Sequence, residues 1–486
     1  MKKLILTILI FSIGFLSGCN DFLEEEPKSF AAAENLFNSK NGIEQVLMGV
    51  YEAGREAYRG RYYIMMYGIT SDDIHYHNSN TSRIEMENYV FTAENGNLAR
   101  SWETNVYGIN RANMVLDYLP ETFRDQAFID RIEAEAKFLR AWYYFGQVRS
   151  YGPVPLITEY RKAEQFPTNS TIPEIYAQII QDLKDAEDKL PGWTEMPSNQ
   201  LGRATNGAVK SLLAWVYLTK ATSDAAEAND YSNAAAKAKE VIDEEGYGLW
   251  ENYNDAFLPS SENGKEDVFA FQFEAGTRFN NSIQADFGPN PDIFGQAAYQ
   301  NFSLKDELYN LFAPEDERLE LVLKGEYSPE GDPNIYVTPD NQAFPQKFRD
   351  PENKNRNDHG TNLPFIPYSN VLLIYAEAAN EANPTPPADA IAAFNLVRER
   401  ANVDPIVSPT KEQFRQAIRD ERYMEFHGEG IRWFDLVRWG ILEERVEATN
   451  PNADVQMPKH QFFPIPQSEI DANTNLVQNA GYSSAE

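Results

Sequence analysis

Glu421, Glu425 and Glu429 stand at successive i, i+4 positions, followed closely by Arg432, Asp435 and Arg438. A helix running through all three would set the carboxylates on one face. Two carboxyl groups about 5 to 9.5 Å apart, one raised in pKa to act as acid, are what glycoside hydrolysis requires. Interleaved arginines act in the opposite direction, because a nearby guanidinium favours the ionised carboxylate. The cluster is therefore expected to be a structural ion-pair network, with no catalytic residue in it; a surface glycoside hydrolase using carboxylates such as Glu425 or Glu429 is the alternative. A second group, Asp72-Asp73-Ile74-His75-Tyr76-His77-Asn78, holds the ligand types zinc takes. No third ligand is marked elsewhere, so a polar loop is expected there, with no metal and no cofactor. The sequence contains no phosphate-cradling glycine loop, nucleophile elbow or His-Glu-x-x-His helix.

The remaining chemistry is that of binding. Aromatic faces pack on the apolar faces of sugar rings while neighbouring polar groups fix the hydroxyls. Two loop segments combine both: 72–83, with His75, Tyr76, His77, Asn78 and Asn80, and 279–302, with Phe287, Phe294, Tyr299 and Gln300 among Asn, Asp and Gln. His75, Tyr76, Asn78, Phe287, Phe294, Tyr299 and Gln300 are the candidate ligand contacts. Trp102 is a further one, although Trp102, Tyr107 and Asn110 to Asn113 also read as helix core.

The chain's one cysteine, Cys19, closes Leu16-Ser17-Gly18-Cys19 behind a short apolar run that starts from Lys2 and Lys3. The run is shorter than the roughly 20 residues a spanning helix needs. This layout is that of a bacterial lipoprotein signal, residues 1–18, with Cys19 the lipidated N-terminus and 19–30 an acidic tether. A lone cysteine leaves no disulfide framework. The formal charge of −31, from 74 acidic and 43 basic side chains, excludes a nucleic-acid backbone as partner. An apolar share of 42 % and an aromatic share of 13 % suffice for a large core.

The elements that must position these residues are mainly helical. Ile132, Ala136, Leu139, Tyr143 and Gly146 recur at spacings of three and four, as do Ala208, Leu212, Trp215 and Thr219. Thr171 with Glu174, and Thr410 with Gln413, have capping-box spacing. Residues 205–221 with 231–245, and 369–382 with 387–402, form two helical pairs, with alanines where the partners would touch. Such pairs resemble tetratricopeptide-like units, which need neighbours to bury their faces; an irregular helical bundle fits the same pattern. Between 250 and 367 the helical period fades into short alternating stretches such as 268–273 and Gly/Pro/Asn-rich loops, with one brief helix candidate at 304–312. The expected body is thus one unit, 31–486, with a helical scaffold over 31–250 and 368–445, a loop-rich insertion over 251–367 and a tail over 446–486.

Five blocks carry a more specific resemblance. Ala134 to Pro155, Gly202 to Leu218 and Tyr368 to Asn380 are three of them; Ile418 to Gly440, with Glu-Gly-Ile-Arg-Trp-Phe-Asp-Leu-Val-Arg-Trp-Gly, and Phe462 to Tyr482, with Pro-Ile-Pro and Gln-Asn-Ala-Gly-Tyr, complete the set. In this order they resemble the SusD/RagB family of outer-membrane nutrient-binding lipoproteins. The resemblance implies a tetratricopeptide-like helical protein at the outer membrane, facing the cell exterior. Such a protein captures a glycan or other nutrient for a SusC-like TonB-dependent transporter. The ligand site of SusD-like proteins resembles an aromatic arc drawn from early and middle loops like those above. A lid or scaffold with no ligand of its own remains a further alternative.

Overall fold

The computed structural model describes residues 36–59, 62–119, 125–244, 246–293, 295–348, 350 and 355–482. Cys19, the signal and the tether lie outside the described residues, as does Phe294. The scaffold begins with α1 (Lys40–Arg59), α2 (Tyr62–Ile69), β1 (Ile74–Tyr76) and α3 (Thr81–Glu87). Five longer helices follow: α4 (Gly96–Tyr118), α5 (Gln126–Tyr151), α6 (Ile172–Glu187), α7 (Asn206–Lys220) and α8 (Asp230–Ile242). The middle region holds β2 (Asp267–Phe271), α9 (Ile283–Phe287), β3 (Phe302–Leu304), α10 (Asp306–Tyr309), β4 (Val322–Leu323), β5 (Glu326–Tyr327), β6 (Tyr336–Val337), β7 (Phe344–Pro345) and β8 (Leu363–Pro367). Helices then resume with α11 (Tyr368–Ala382), α12 (Ala388–Arg400), α13 (Lys411–Glu425), α14 (Arg432–Arg438), α15 (Leu442–Thr449) and α16 (Gln467–Ala472).

Each long helix packs on the next: α1 on α4, then α4 on α5, α5 on α6, α6 on α7 and α7 on α8. The insertion is then bypassed, because α8 packs directly on α11, and α11 on α12 and α13. The two pairs expected from the sequence are α7 with α8 and α11 with α12, and the second stacks on the first. Ala214, Ala234, Ala238, Ala376, Ala390 and Ala401 are buried, which lets helix backbones approach closely. Both capping boxes form: Thr171 accepts from the Glu174 N–H and Glu174 from the Thr171 N–H, and Thr410 and Gln413 do the same.

The insertion is irregular because its strands are short and pair only two at a time: β1 with β3, β2 with β8, β4 with β7 and β5 with β6, all antiparallel. The helix candidate at 304–312 narrows to the single turn α10, since Leu304 is drawn into β3. The alternating stretch at 268–273 supplies β2, whose Phe269 meets Phe138 of α5 at 4.9 Å and whose Phe271 meets Phe365 of β8 at 5.1 Å between ring centroids. Trp142 of α5 closes on Phe365 at 4.9 Å, edge on. Aromatic burial of this size fixes the loop layer on the scaffold.

Candidate functional site

The pairing of β1 with β3 brings the two aromatic and polar loop segments together. Its register sets Ile74 opposite Leu304, His75 opposite Ser303 and Tyr76 opposite Phe302. The contact continues past the strands, with the His77 N–H donating to the Asn301 carbonyl at 2.9 Å and the Asn78 amide donating to Asn301 Oδ1 at 3.1 Å. His77 Nε2 and Ser303 Oγ are 2.7 Å apart. Strand periodicity then sorts the side chains. His75 is exposed and His77 half-buried on one face, while Ile74 and Tyr76 point into the core. Burial, and after it the neighbouring His75, push His77 down to about 4, which keeps it neutral and able to accept or donate one hydrogen bond.

His75, Asn78, Tyr299 and Gln300 stay accessible in the joined segments, Tyr299 and Gln300 being half-buried and the other two exposed. Tyr299 is held by two residues that the sequence reading missed: its hydroxyl donates to Asn357 Oδ1 at 2.8 Å, and the Arg356 guanidinium lies 4.5 Å from its ring centroid. The stretch Asn355-Arg356-Asn357-Asp358-His359 has the polar character that marked the other loops, but it carries no large apolar ring. Tyr76, Trp102 and Phe287 differ from expectation, being at most 4 % exposed. Tyr76 and Phe287 pack on Phe302 at 5.7 and 5.5 Å, and Trp102 stands edge-on to Tyr151 at 5.1 Å. A ring enclosed in this way offers no face to a sugar, so these three are core residues.

Behind β1 lies a layer of buried charge that fixes its position. Asp72 accepts from Arg432 Nε at 2.7 Å and NH2 at 2.9 Å, and from Arg445 Nε at 2.8 Å. Burial alone would raise its pKa, but the Arg432 and then the Arg445 guanidinium outweigh that and hold it below the ordinary range. Asp72 and Asp73 thus face the C-terminal helices and not the histidines, and among the described residues no group of three His, Cys, Asp or Glu is placed to hold a metal. His75 is oriented instead by Glu87, 2.6 Å from its Nδ1, and the Glu87 carbonyl accepts from Asn450 at 3.0 Å.

Asp73 is the costly member of this layer. One oxygen accepts from the Gly428 N–H at 2.9 Å, a contact made possible by the turn at Gly428 with φ of 72°, and the other has no protein partner. Burial raises its pKa to about 7 in spite of the Gly428 bond. A carboxyl raised above its unfolded value leaves stability intact below about pH 4 and costs stability as pH rises toward 7. Asp73→Asn is therefore expected to lose less stability than the parent between pH 5 and pH 8, by about 1–3 kcal/mol. Urea unfolding of both proteins at the two pH values checks this; equal losses would contradict it.

The carboxylate series is held in a shared ion-pair network and not on one helical face. Helix α13 ends at Glu425, and positive φ at Gly428 and Gly430 turns the chain away, so Glu429 leaves the helical face. The partners are also not the nearby Arg432 and Arg438. Glu421 binds Arg318 at 2.6 Å and Arg398 at 2.8 Å; Glu425 binds Arg400 and lies 3.5 Å from Arg318; Glu429 binds Lys347 at 2.7 Å. For Glu425, burial raises the pKa but Arg400 and Arg318 together lower it further. Glu429 departs from the expected direction, because burial outweighs its single Lys347 partner and raises it. Glu421 and Glu425 are buried, which closes them to any substrate.

Stacked helix pairs that carry a layer of paired loops define a tetratricopeptide-like scaffold with a loop-rich insertion. A family model described as "SusD family" matches residues 316–482, and one described as "Starch-binding associating with outer membrane" matches residues 21–218. The chain belongs to the SusD/RagB family. It is 26 % identical over 540 residues to SusD-like protein P25 of Formosa agariphila, covering 99 % of this chain and all of that one. Among solved structures, a SusD superfamily protein from Parabacteroides distasonis superposes with a TM-score of 0.82 at 26 % identity, covering 91 % of this chain and 99 % of the other. A laminarin-binding SusD-like protein superposes with a TM-score of 0.76 at 26 % identity, covering 90 % and 99 %.

Proposed function

We propose that this protein is a cell-surface lipoprotein of the outer membrane, anchored through Cys19, that binds an oligosaccharide without altering it and passes it to a SusC-like TonB-dependent transporter. The reading is supported by the β1–β3 pairing, which brings segments 72–83 and 279–302 together, and by the accessibility of His75, Asn78, Tyr299 and Gln300 within them. Such a set has the form of a sugar site, with Tyr299 as the stacking face and the histidine, amides and Arg356 as hydroxyl partners. The laminarin-binding relative and the starch-binding family description support a glycan as the ligand class. The burial of Glu421 and Glu425 within ion pairs supports binding over hydrolysis.

The test is binding of the purified protein to an array of plant, host and microbial glycans, with product analysis on the same samples. Binding without products is expected. Tyr299→Ala should then weaken the best glycan about tenfold, or ~1.4 kcal/mol, with little change in melting temperature. Unchanged affinity in a folded Tyr299→Ala, His75→Ala, Asn78→Ala triple variant would sink the site assignment, and products would overturn the non-enzymatic reading.

A further inference from the structure

A second concavity, of about 800 Å³, opens between α1, α4, the turn at 201–203 and the loop after β2. Along α1, Glu44, Met48, Glu52 and Arg55 line it at helical spacing; Arg111 and Met114 of α4 face them, and Arg278 and Phe279 close one end. The two ends differ in charge balance. At one, Arg203 grips Glu135 with three bonds of 2.9 to 3.2 Å and binds Glu44 at 2.8 Å, while Arg131 pairs with the same two carboxylates. Two guanidiniums there meet two carboxylates.

At the other end, Glu52 is the one carboxylate paired with Arg111 and Arg278 among the described residues, at 3.4 and 3.6 Å, while Arg111 also donates to the Gly49 carbonyl at 2.5 Å and to the Tyr107 hydroxyl. Arg55 stands 3.7 Å from the same carboxylate, and its guanidinium lies 3.9 Å from the Phe279 ring centroid. Even with Arg55 left aside, this end is net positive, in a chain whose formal charge is −31. Such a surface offers no long-range attraction to an anion, so any anion held here is held by contact. Guanidinium forks match the geometry of carboxylate and of sulfur or phosphorus oxyanions, and the half-buried Phe279 ring holds the Arg55 and Arg278 guanidiniums in place, 3.9 and 4.8 Å from its centroid.

We infer that this groove is a second binding site, for an oligosaccharide bearing carboxylate or sulfate groups, with Arg278 and Arg111 holding the charge. The inference rests on the glycan-binding reading for its choice of a sugar as the carrier of that charge. The loop that presents Arg278 is tied to the Tyr299 surface: the Gly276 N–H and the Asn280 amide both donate to Asp358, at 2.8 and 3.0 Å, next to Asn357.

The test measures affinity by calorimetry for oligogalacturonate, for a sulfated carrageenan oligosaccharide, and for their carboxyl-reduced and desulfated counterparts. Binding of either charged compound at least tenfold tighter than its neutral counterpart is expected, and which of the two it is identifies the anion. Arg278→Glu, at a side chain 72 % exposed, should remove that advantage, with Arg278→Lys losing less. Arg111→Gln should weaken binding in the same direction. Equal binding of charged and neutral forms, no binding of either charged compound, or unchanged affinity in Arg278→Glu and Arg111→Gln would each overturn the inference. Tyr299→Ala separates the two readings: loss of neutral-glycan binding there, with Arg278→Glu unaffected for neutral glycans, leaves the first site standing whatever happens at the second.

Discussion

Arg318→Met is expected to destabilise the protein by about 3–5 kcal/mol, because it strands carboxylates that have no access to water. Arg318 is entirely buried, and its guanidinium donates to both oxygens of Asp316, at 2.9 and 2.8 Å, and to Glu421 Oε1 at 2.6 Å. The pairing joins the insertion to α13, so losing it also loosens the seam between loop layer and scaffold. Desolvation makes the intact network a weak source of net stability, yet breaking it from one side is expensive. Replacing Arg318, Asp316 and Glu421 together by apolar residues of similar size should therefore recover most of the loss. Urea denaturation of the single and triple variants checks both parts. A single-variant loss below about 1 kcal/mol would mean that the two carboxylates find protons or water at little cost.

Trp433→Ala should cost a similar amount, about 3–5 kcal/mol, for an unrelated reason. The indole is completely buried, stacked on Phe463 of the tail at 4.6 Å and within 5.9 Å of Tyr67 in α2. Removing it opens a cavity where three distant parts of the chain meet, and dispersion contacts on all sides are lost. The tail is also tied there by the Phe463 N–H to the Ser150 carbonyl at 2.8 Å and by Phe463 against Phe91 at 5.5 Å, a packing that the lost indole would loosen. Limited proteolysis should consequently cut the variant after residue 450 well before the parent, with Trp433→Phe intermediate. A protease-resistant tail in Trp433→Ala would show that those backbone bonds suffice.

Much of the scaffold was legible because its signals are local. Capping boxes at Thr171 and Thr410, and alanines at helix contacts, act within one or two turns, and the structure places both as the spacing implies. The family blocks likewise carry their information in short strings. The candidate site was legible only in part. Ile74-His75-Tyr76-His77 alternates with period two, and reading it as a strand would have sent Tyr76 inward; reading it as an open loop left every ring equally available. Phe287 is hidden by one turn of helix too short to show a period, and Trp102 by its contact with Tyr151 across two helices. Arg356 and Asn357 matter only because Tyr299 comes to them, and no spacing within either segment records that meeting. The same limit explains the carboxylates, whose partners Arg318, Lys347, Arg398 and Arg400 come from other segments.

The bonds that fix β1 also order events in time. Asp73 waits for Gly428, 355 positions later, and Asp72 for Arg432 and Arg445, 360 and 373 positions later. Contacts of such separation form slowly, since the loop they close must be gathered before they reward it. A chain made N-terminus first thus carries the β1 segment for nearly its whole length before the residues that shape it arrive. The helices can assemble as they emerge, whereas the surface around His75 and Asn78 is completed only when the C-terminal end comes through.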